Sequence, residues 1–132
     1  MPEVITVSGV VLTSDDGLVL TVRKRGTERF MLPGGKPEPG EDALGAAVRE
    51  CREEIGVELD PTALVLVGTF RTAAANEPGH EVLGTIFAHP APADVAPAAE
   101  IAELRWLDPR VRPLPDDLAP LLAERVIPAI LA

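Results

Sequence analysis

Apolar and polar side chains alternate at the start of the chain. Residues 4–13 follow this alternation and are rich in β-branched side chains, which predicts a β-strand. Asp15, Asp16 and Gly17 come next and are typical of a tight turn. Residues 18–23 alternate again, so the pattern predicts a hairpin in which they form the returning strand.

Further extended segments are separated by loop-forming sequence. The apolar or alternating runs are residues 30–32, 64–72, 81–88 and 101–107. Residues 73–79 and the Ala- and Pro-rich residues 90–97 predict loops. Trp106, in the last run, is expected to be a core residue.

Two segments have the periodicity of helices. The first covers residues 43–55, follows Asp42 as a favourable N-cap, and precedes Gly56 as a favourable C-terminal stop. The second covers residues 118–126, and Pro128 is expected to kink or end it.

Strands and helices are interspersed, which predicts the fold class. With no repeat and no linker, we expect residues 1–132 to form one α/β domain, a mixed β-sheet flanked by helices. The content of 46% hydrophobic and 25% charged residues is typical of a globular protein. No apolar run approaches the roughly 20 residues of a membrane span, and no signal peptide precedes the first strand. We therefore expect a cytoplasmic protein without a membrane partner.

The formal net charge of −9 bears on the kind of partner. It disfavours a nucleic acid polymer, which is bound by clustered Lys and Arg. A small phosphorylated molecule stays compatible with this charge, because a divalent cation can shield it from carboxylates.

The first predicted helix carries three carboxylates on one side. At about 100° per residue, Glu50, Glu53 and Glu54 share an arc of roughly 100°. Ala43 and Ala46 lie on the same side, where small side chains would leave room for a ligand. An apolar stripe runs directly beside the acidic one. It consists of Leu44, Ala47, Val48, Cys51 and Ile55.

Carboxylates this close repel one another. The pair Glu50 and Glu54, at spacing i,i+4, destabilises a bare helix and raises the pKa of both groups. Hard divalent cations prefer oxygen ligands and would relieve the repulsion. The helix taken alone also fits a solvated acidic face balanced by Arg49 and Arg52. Cys51, the single cysteine, is expected to be a buried core residue.

A glycine-rich loop precedes this helix. Gly34 and Gly35 allow main-chain groups to approach a metal or a phosphate closely. The loop is not a P-loop, because Pro37 stands where Ser or Thr must follow Lys36.

Loop and helix together resemble the Nudix box, G-x5-E-x7-R-E-U-x-E-E-x-G-U, where U is a bulky apolar residue. The matching residues are Gly35, Glu41, Arg49, Glu50, Cys51, Glu53, Glu54, Gly56 and Val57. Only Cys51 departs from the pattern, being smaller than the usual aliphatic residue. The resemblance implies the Nudix α/β/α sandwich over the whole chain.

The resemblance also implies an activity and a cofactor. Nudix enzymes typically cleave the diphosphate bond of a nucleoside diphosphate linked to another moiety. By resemblance, Glu50, Glu53 and Glu54 bind Mg²⁺ or Mn²⁺ together with the Gly34 carbonyl. Arg49 orients one of these glutamates.

Other roles follow from the same resemblance or from charge. By resemblance, Glu41 stabilises the loop and the helix, and Gly35 and Gly56 are structural. Glu100 is the first choice for a further metal ligand or catalytic base and Glu103 the second, unless both are ordinary surface glutamates.

Basic residues at two places are candidates for substrate phosphates. Arg23, Lys24 and Arg25 lie at the end of the second predicted strand, and Arg suits bidentate phosphate binding. Lys36 is a further substrate-binding candidate, and Arg71 is a weaker one. The alternative for the strand-end residues is a solvated strand terminus.

The substrate is expected to be a small nucleotide. A (d)NTP or oxidised (d)NTP is favoured, since no segment precedes the first strand of the kind that many ADP-ribose hydrolases exchange between subunits. ADP-ribose or another nucleotide-linked diphosphate is the alternative, and a non-catalytic nucleotide sensor is a second alternative. Loops 27–31, 73–79 and 90–99 would set specificity. A homodimer is common in the family.

Overall fold

The computed structural model describes residues 3–74 and 77–132, and in them seven strands form one mixed sheet. The strands are β1 (Glu3–Thr13), β2 (Val19–Lys24), β3 (Phe30–Met31), β4 (Gly34–Gly35), β5 (Val65–Ala73), β6 (His80–Pro90) and β7 (Ile101–Leu107). Helix α1 (Ala43–Ile55) follows β4, and a short 3-10 helix covers Pro61–Ala63. The chain ends in a π-helical segment, Leu121–Val126, that runs into α2 (Ile127–Leu131).

Strand β1 organises the sheet. It pairs with β6 in parallel along its whole length, from Glu3 opposite His80 to Thr13 opposite Pro90. Its other edge holds β4 antiparallel, with Gly9 opposite Gly34. The expected hairpin with β2 is limited to its tip, a single antiparallel pair. The local sequence predicted the turn correctly. It did not predict that the main partner of β1 is β6, which lies far along the chain.

Successive side chains of β1 point to opposite faces of the sheet and pack into a core on each face. Val10 and Leu12 pack with α1 on one face, and Val11 packs with Leu122 and Val126 of the C-terminal helical segment on the other. These side chains are between 0% and 2% exposed. The predicted α/β/α sandwich with a mixed sheet is therefore confirmed.

Helix α1 begins and ends where the sequence predicts. The Asp42 side chain accepts a hydrogen bond from the N–H of Gly45 at 2.7 Å, which caps the first turn. Gly56 adopts φ 69°, and its N–H donates to the carbonyl of Arg52. The caps fix the axial position of every glutamate between them.

The second predicted helix has different bounds. Leu118 lies before it and forms a bridge with Phe30. Residues 121–126 are π-helical, with the N–H of Ile127 donating to the carbonyl of Leu122. Pro128 does not end the helix, because it lies in the first turn of α2, where its missing N–H is tolerated.

Trp106 is not a core residue. It is 38% exposed, and it lies on β7, which in the described part of the chain pairs with β2 alone. An edge strand leaves a large ring without a neighbour on one side. Within residues 3–74 and 77–132, none of the helices has the length and apolar character needed to cross a bilayer.

Candidate active site

The glycine strand β4 lies against the acidic side of α1. The N–H of Gly34 donates a hydrogen bond to Oε1 of Glu54 at 3.0 Å, and this bond is buried. A side chain at Gly34 would collide with the backbone of Ser8 and Gly9. Glycine at position 34 therefore allows β4 to pair closely with β1, and from this position its N–H reaches Glu54.

Gly35 makes room for a second carboxylate. A Cβ at this position would overlap Oε2 of Glu50 and lie 2.6 Å from its Cδ. The expected open space beside Ala46 is consequently absent. Ala46 is 0% exposed, and Ala43 packs against the core between α1 and the sheet.

Arg49 joins the loop to the helix. Its Nε and Nη2 donate to the two carboxylate oxygens of Glu41, each at 2.9 Å. Its Nη1 donates to Oε1 of Glu50 at 2.9 Å and to Oε2 of Glu53 at 3.3 Å. Nη2 also donates to the carbonyl of Lys36 at 3.0 Å. One guanidinium therefore positions three glutamates relative to the loop.

The glutamates have different pKa values because their contacts and their burial differ. The hydrogen bond from Arg49 is the main cause that holds the pKa of Glu41 near 2. Burial raises the pKa of Glu54 to about 7, against the opposing effect of the Gly34 hydrogen bond. Burial also raises the pKa of Glu50, although the neighbouring Arg49 opposes this. Glu53 is half exposed. Burial thus disfavours the charged form of two carboxyl groups, those of Glu50 and Glu54.

The donor chemistry of this place fits a hard divalent cation. Two desolvated carboxyl groups gain most from an added positive charge, and all their donor atoms are oxygens. Within residues 3–74 and 77–132, no three acidic, His or Cys side chains are gathered closely enough to hold a metal as they stand. In this arrangement Glu54 accepts a hydrogen bond from the N–H of Gly34, and Glu50 and Glu53 accept hydrogen bonds from Arg49.

Glu100 and Glu103 have different surroundings. Glu103 pairs with Arg23 at 3.0 Å. Glu100 follows Ala99, whose φ of 52° is unusual for a residue with a side chain. The negative charge of Glu100 contributes to the raised pKa of Glu54, so Glu100 lies within electrostatic range of the buried carboxyl group.

A cavity of about 530 Å³ opens beside these glutamates. At one end it is lined by Gly34, Gly35 and Glu50. Aliphatic side chains from both the sheet and the C-terminal segment line much of the rest. They include Ile5, Val7, Val82, Ile86, Leu121 and Leu122. Its size is that of a small-molecule site, and its lining combines apolar side chains with the charged residues Lys24, Lys36, Glu50 and Glu77.

Of the basic residues that the sequence suggested for substrate phosphates, some line the cavity and others do not. Lys24 and Lys36 line it, whereas Arg23 and Arg25 do not. Arg23 is held by Glu103 and by the carbonyl of Thr27. Arg71 pairs with Glu81 at 2.7 Å.

The three loops expected to set specificity contribute unequally to this cavity. Thr27 and Met31 line it, as do Ala73, Ala74 and Glu77, while residues 90–99 do not. Residues 75 and 76 lie outside the described part of the chain. Sequence reasoning missed the lining contributed by Ile5, Val7 and Leu121, because the strands and the helix that carry them meet only in the folded chain.

A capped glutamate helix, a glycine strand and an adjoining cavity lie together on the mixed sheet. The model of the NUDIX domain matches residues 3–127, and the chain therefore belongs to the Nudix family.

Similar proteins agree with this assignment. A protein from Bacillus subtilis named "Putative 8-oxo-dGTP diphosphatase" is 32% identical over 105 residues, covering 80% of this chain and 67% of that protein. An RNA pyrophosphohydrolase from Halorhodospira halophila is 38% identical over 63 residues, covering 48% of this chain and 34% of that protein. The chain thus spans about a third of the latter.

A solved structure shares the fold. The MutT protein from Methanosarcina mazei Go1 superposes with a TM-score of 0.70 at 21% identity, covering 88% of each chain. At this identity the likeness concerns the arrangement of strands and helices.

Proposed function

We propose that this Nudix hydrolase cleaves the diphosphate bond of a (d)NTP or an oxidised (d)NTP, with Mg²⁺ or Mn²⁺ as cofactor. The observation that carries the proposal is the position of Glu50 and Glu54. Both carboxyl groups are desolvated, and Glu50 lines a cavity whose walls are mainly aliphatic and also include Lys24 and Lys36. A substrate with a charged diphosphate and a less polar organic group matches this division. The diphosphatase name of the Bacillus subtilis relative supports the same substrate class.

The glutamates would hold the cation. Glu50, Glu53 and Glu54 supply carboxylate oxygens, and the Gly34 carbonyl is the proposed further ligand. When bound, the cation neutralises the phosphates and lowers the pKa of a coordinated water. Arg49 keeps Glu50 and Glu53 in place on the helix.

The chain itself supplies an acceptor for the proton. Water adds to one phosphorus atom, the P–O–P bridge breaks, and its electron pair stays on the oxygen of the leaving phosphate. A carboxylate accepts the proton that the water loses. Glu100 is the first candidate for this role, because Glu103 is paired with Arg23. Lys36 lines the cavity beside Glu50 and is the proposed contact for substrate phosphate.

A phosphate-release screen tests the proposal. The purified protein is incubated with Mg²⁺ or Mn²⁺, excess inorganic pyrophosphatase, and NTPs, dNTPs and 8-oxo-dGTP. ADP-ribose, NADH and dinucleoside polyphosphates are tested with a phosphatase added. We expect release from a (d)NTP or 8-oxo-dGTP that disappears when this protein acts in EDTA and the pyrophosphatase is added afterwards with excess Mg²⁺. Release confined to ADP-ribose or a dinucleotide would contradict the substrate class, and no release from any compound would contradict the hydrolysis itself.

A variant pair tests the site. Glu54→Gln removes one charge from the buried carboxyl group and should lower turnover by roughly 10³-fold, since it removes a proposed metal ligand. Glu58→Gln is the control, because Glu58 is an exposed glutamate paired with Arg52 beyond the end of α1. Equal turnover by the Glu54→Gln protein and the wild type would remove Glu54 from the site.

A further inference from the structure

Lys24 differs from its two basic neighbours in where it lies. Arg23 pairs with Glu103 on β7, and Arg25 is exposed. Lys24 is half-buried and lines the cavity that contains Glu50. Three consecutive cations therefore have three different environments, and only one of them is in the cavity.

An irregularity in the sheet accompanies this difference. The pairing of β2 with β7 shifts register between Arg23 and Lys24, so that Arg23 lies opposite Glu103 and Lys24 opposite Ile101. Bulges of this kind redirect a side chain at the edge of a sheet.

A tight turn then fixes the backbone of Lys24. Its carbonyl accepts hydrogen bonds from the N–H of Thr27 at 3.1 Å and from Thr27 Oγ1 at 2.8 Å. Gly26 supplies the left-handed conformation that the turn requires, at φ 81°. Arg23 Nη1 donates to the carbonyl of Thr27 at 2.9 Å and closes the turn from the other side. Lys24 is thus presented from a rigid position.

In the described part of the chain, the ammonium group of Lys24 has no carboxylate partner. Within residues 3–74 and 77–132, no carboxylate forms an ion pair with its ammonium group, whereas Arg23 is paired. The ammonium is nevertheless close enough to Glu54 to lower the pKa of that carboxyl group in part. A half-buried cation near the glutamates, without an ion-pair partner, has its donors available for an anion that enters the cavity.

We propose that Lys24 binds a non-bridging phosphate oxygen of the substrate in this cavity. The inference rests on the proposed function, since it takes the ligand to be a diphosphate. Lys24 is therefore a substrate-binding residue, and its neighbours Arg23 and Arg25 are not. Its ammonium and the carboxylate of Glu50 line the same cavity, so both would face the diphosphate.

Two variants at this position and one beside it form the test. Lys24→Met removes the charge and keeps the length of the side chain, Lys24→Arg keeps the charge, and Arg25→Met is the matched control. The Kd for methylenediphosphonate, a diphosphate mimic with a P–C–P bridge that water does not cleave, is measured by calorimetry with Mg²⁺. KM and kcat are measured on whichever compound the wild type hydrolyses.

We expect Lys24→Met to raise Kd and KM at least about tenfold, the cost of one hydrogen bond to a charged group. Turnover at saturation should change by less than about threefold, since binding of this kind affects KM more than kcat. Lys24→Arg should restore most of the affinity, and Arg25→Met should match the wild type.

The remaining outcomes overturn the inference or separate it from the proposed function. Unchanged Kd and KM in Lys24→Met overturn it, and so does a loss of kcat at unchanged Kd, which would make Lys24 a structural counterion of Glu54. A wild type that does not bind the probe also overturns it. A wild type that hydrolyses nothing, but binds the probe through Lys24, would contradict the reaction and leave the phosphate contact standing.

Discussion

The N–H of Gly34 donates to Oε1 of Glu54 at 3.0 Å across twenty positions of sequence. This bond holds the one glutamate of α1 that is almost completely buried, at 6% exposed. Gly34 is also paired with β1, so the sheet, the loop and the helix share a single contact. Single substitutions around this contact should therefore show which residues affect activity and which affect the stability of the fold.

Gly35→Ala should reduce activity while the fold is retained. The added Cβ would overlap the carboxylate of Glu50, and this side chain can move aside only by leaving its bond with Arg49. We expect kcat to fall about 100-fold, the effect of displacing a catalytic group by about 1 Å.

Gly40→Ala is the control for backbone effects. Its Cβ meets nothing, but its φ of 81° is strained, so it should cost about 1 kcal/mol of stability and no activity. Normal kcat in Gly35→Ala would show that Glu50 does not act from this position.

Glu54 should make the metal-free protein less stable as the pH rises. Burial raises its pKa from 4.5 to about 7, so between these values the unfolded chain releases a proton that the folded chain retains. The free energy of unfolding should then fall with rising pH, by about 3 kcal/mol at most from this group. Urea unfolding in EDTA at pH 5 and pH 8 measures the change. Glu54→Gln should lose this part of the pH dependence and be more stable than the wild type at pH 8. The same pH dependence in both proteins would show that Glu54 does not titrate in this range.

Arg49→Lys should lower both stability and turnover, although it preserves the charge. A lysine ammonium cannot make the paired contact with Glu41 and reach Glu50 at the same time. We expect a loss of about 1–3 kcal/mol in the free energy of unfolding and roughly a tenfold or greater loss of kcat. Arg52→Lys, on an exposed residue of the same helix, should change neither quantity measurably. An Arg49→Lys protein with wild-type kcat would show that the guanidinium geometry is not needed.

Ala99→Gly should stabilise the protein. Ala99 has φ 52°, a conformation that costs a residue with a side chain about 1–2 kcal/mol and glycine almost nothing. After the greater entropy loss of glycine on folding, we expect a net gain of about 0.5–1 kcal/mol. Urea unfolding measures it, with Ala98→Gly as the neighbouring control that should destabilise. If Ala99→Gly destabilises as much as Ala98→Gly, the left-handed conformation is absent in solution.

The parts of the fold that local sequence determines were predicted closely. Asp42 and Gly56 act within a few residues of themselves, and they gave α1 its correct ends. Cys51 lies in the apolar stripe and is 0% exposed, as expected. The parts that depend on distant packing were not predicted. Trp106 is exposed because β7 is an edge strand, and the parallel partner of β1 lies far along the chain.

The site shows the same division. The spacing of the Nudix box placed Glu41, Arg49 and Glu50 in the sequence, and the structure shows them in direct contact. The box gave no sign that Glu54 would accept a bond from the N–H of Gly34, since that bond depends on how β4 packs against the helix. The box also gave no sign of which basic side chains would line the cavity. The roles of Glu41, Arg49, Glu50 and Glu54 in the reaction stay predictions.

The parallel pairing of β1 with β6 has a consequence for how the protein is made. The residues of β1 find their partners only when His80 to Pro90 have been synthesised. Contacts this distant along the chain slow folding, because a long loop must close before the pairing gains any stability. The ribosome therefore releases the entire glutamate helix well before the sheet that supports it is complete. A chain terminated before residue 80 would contain every residue of the Nudix box and lack the strand that completes its platform.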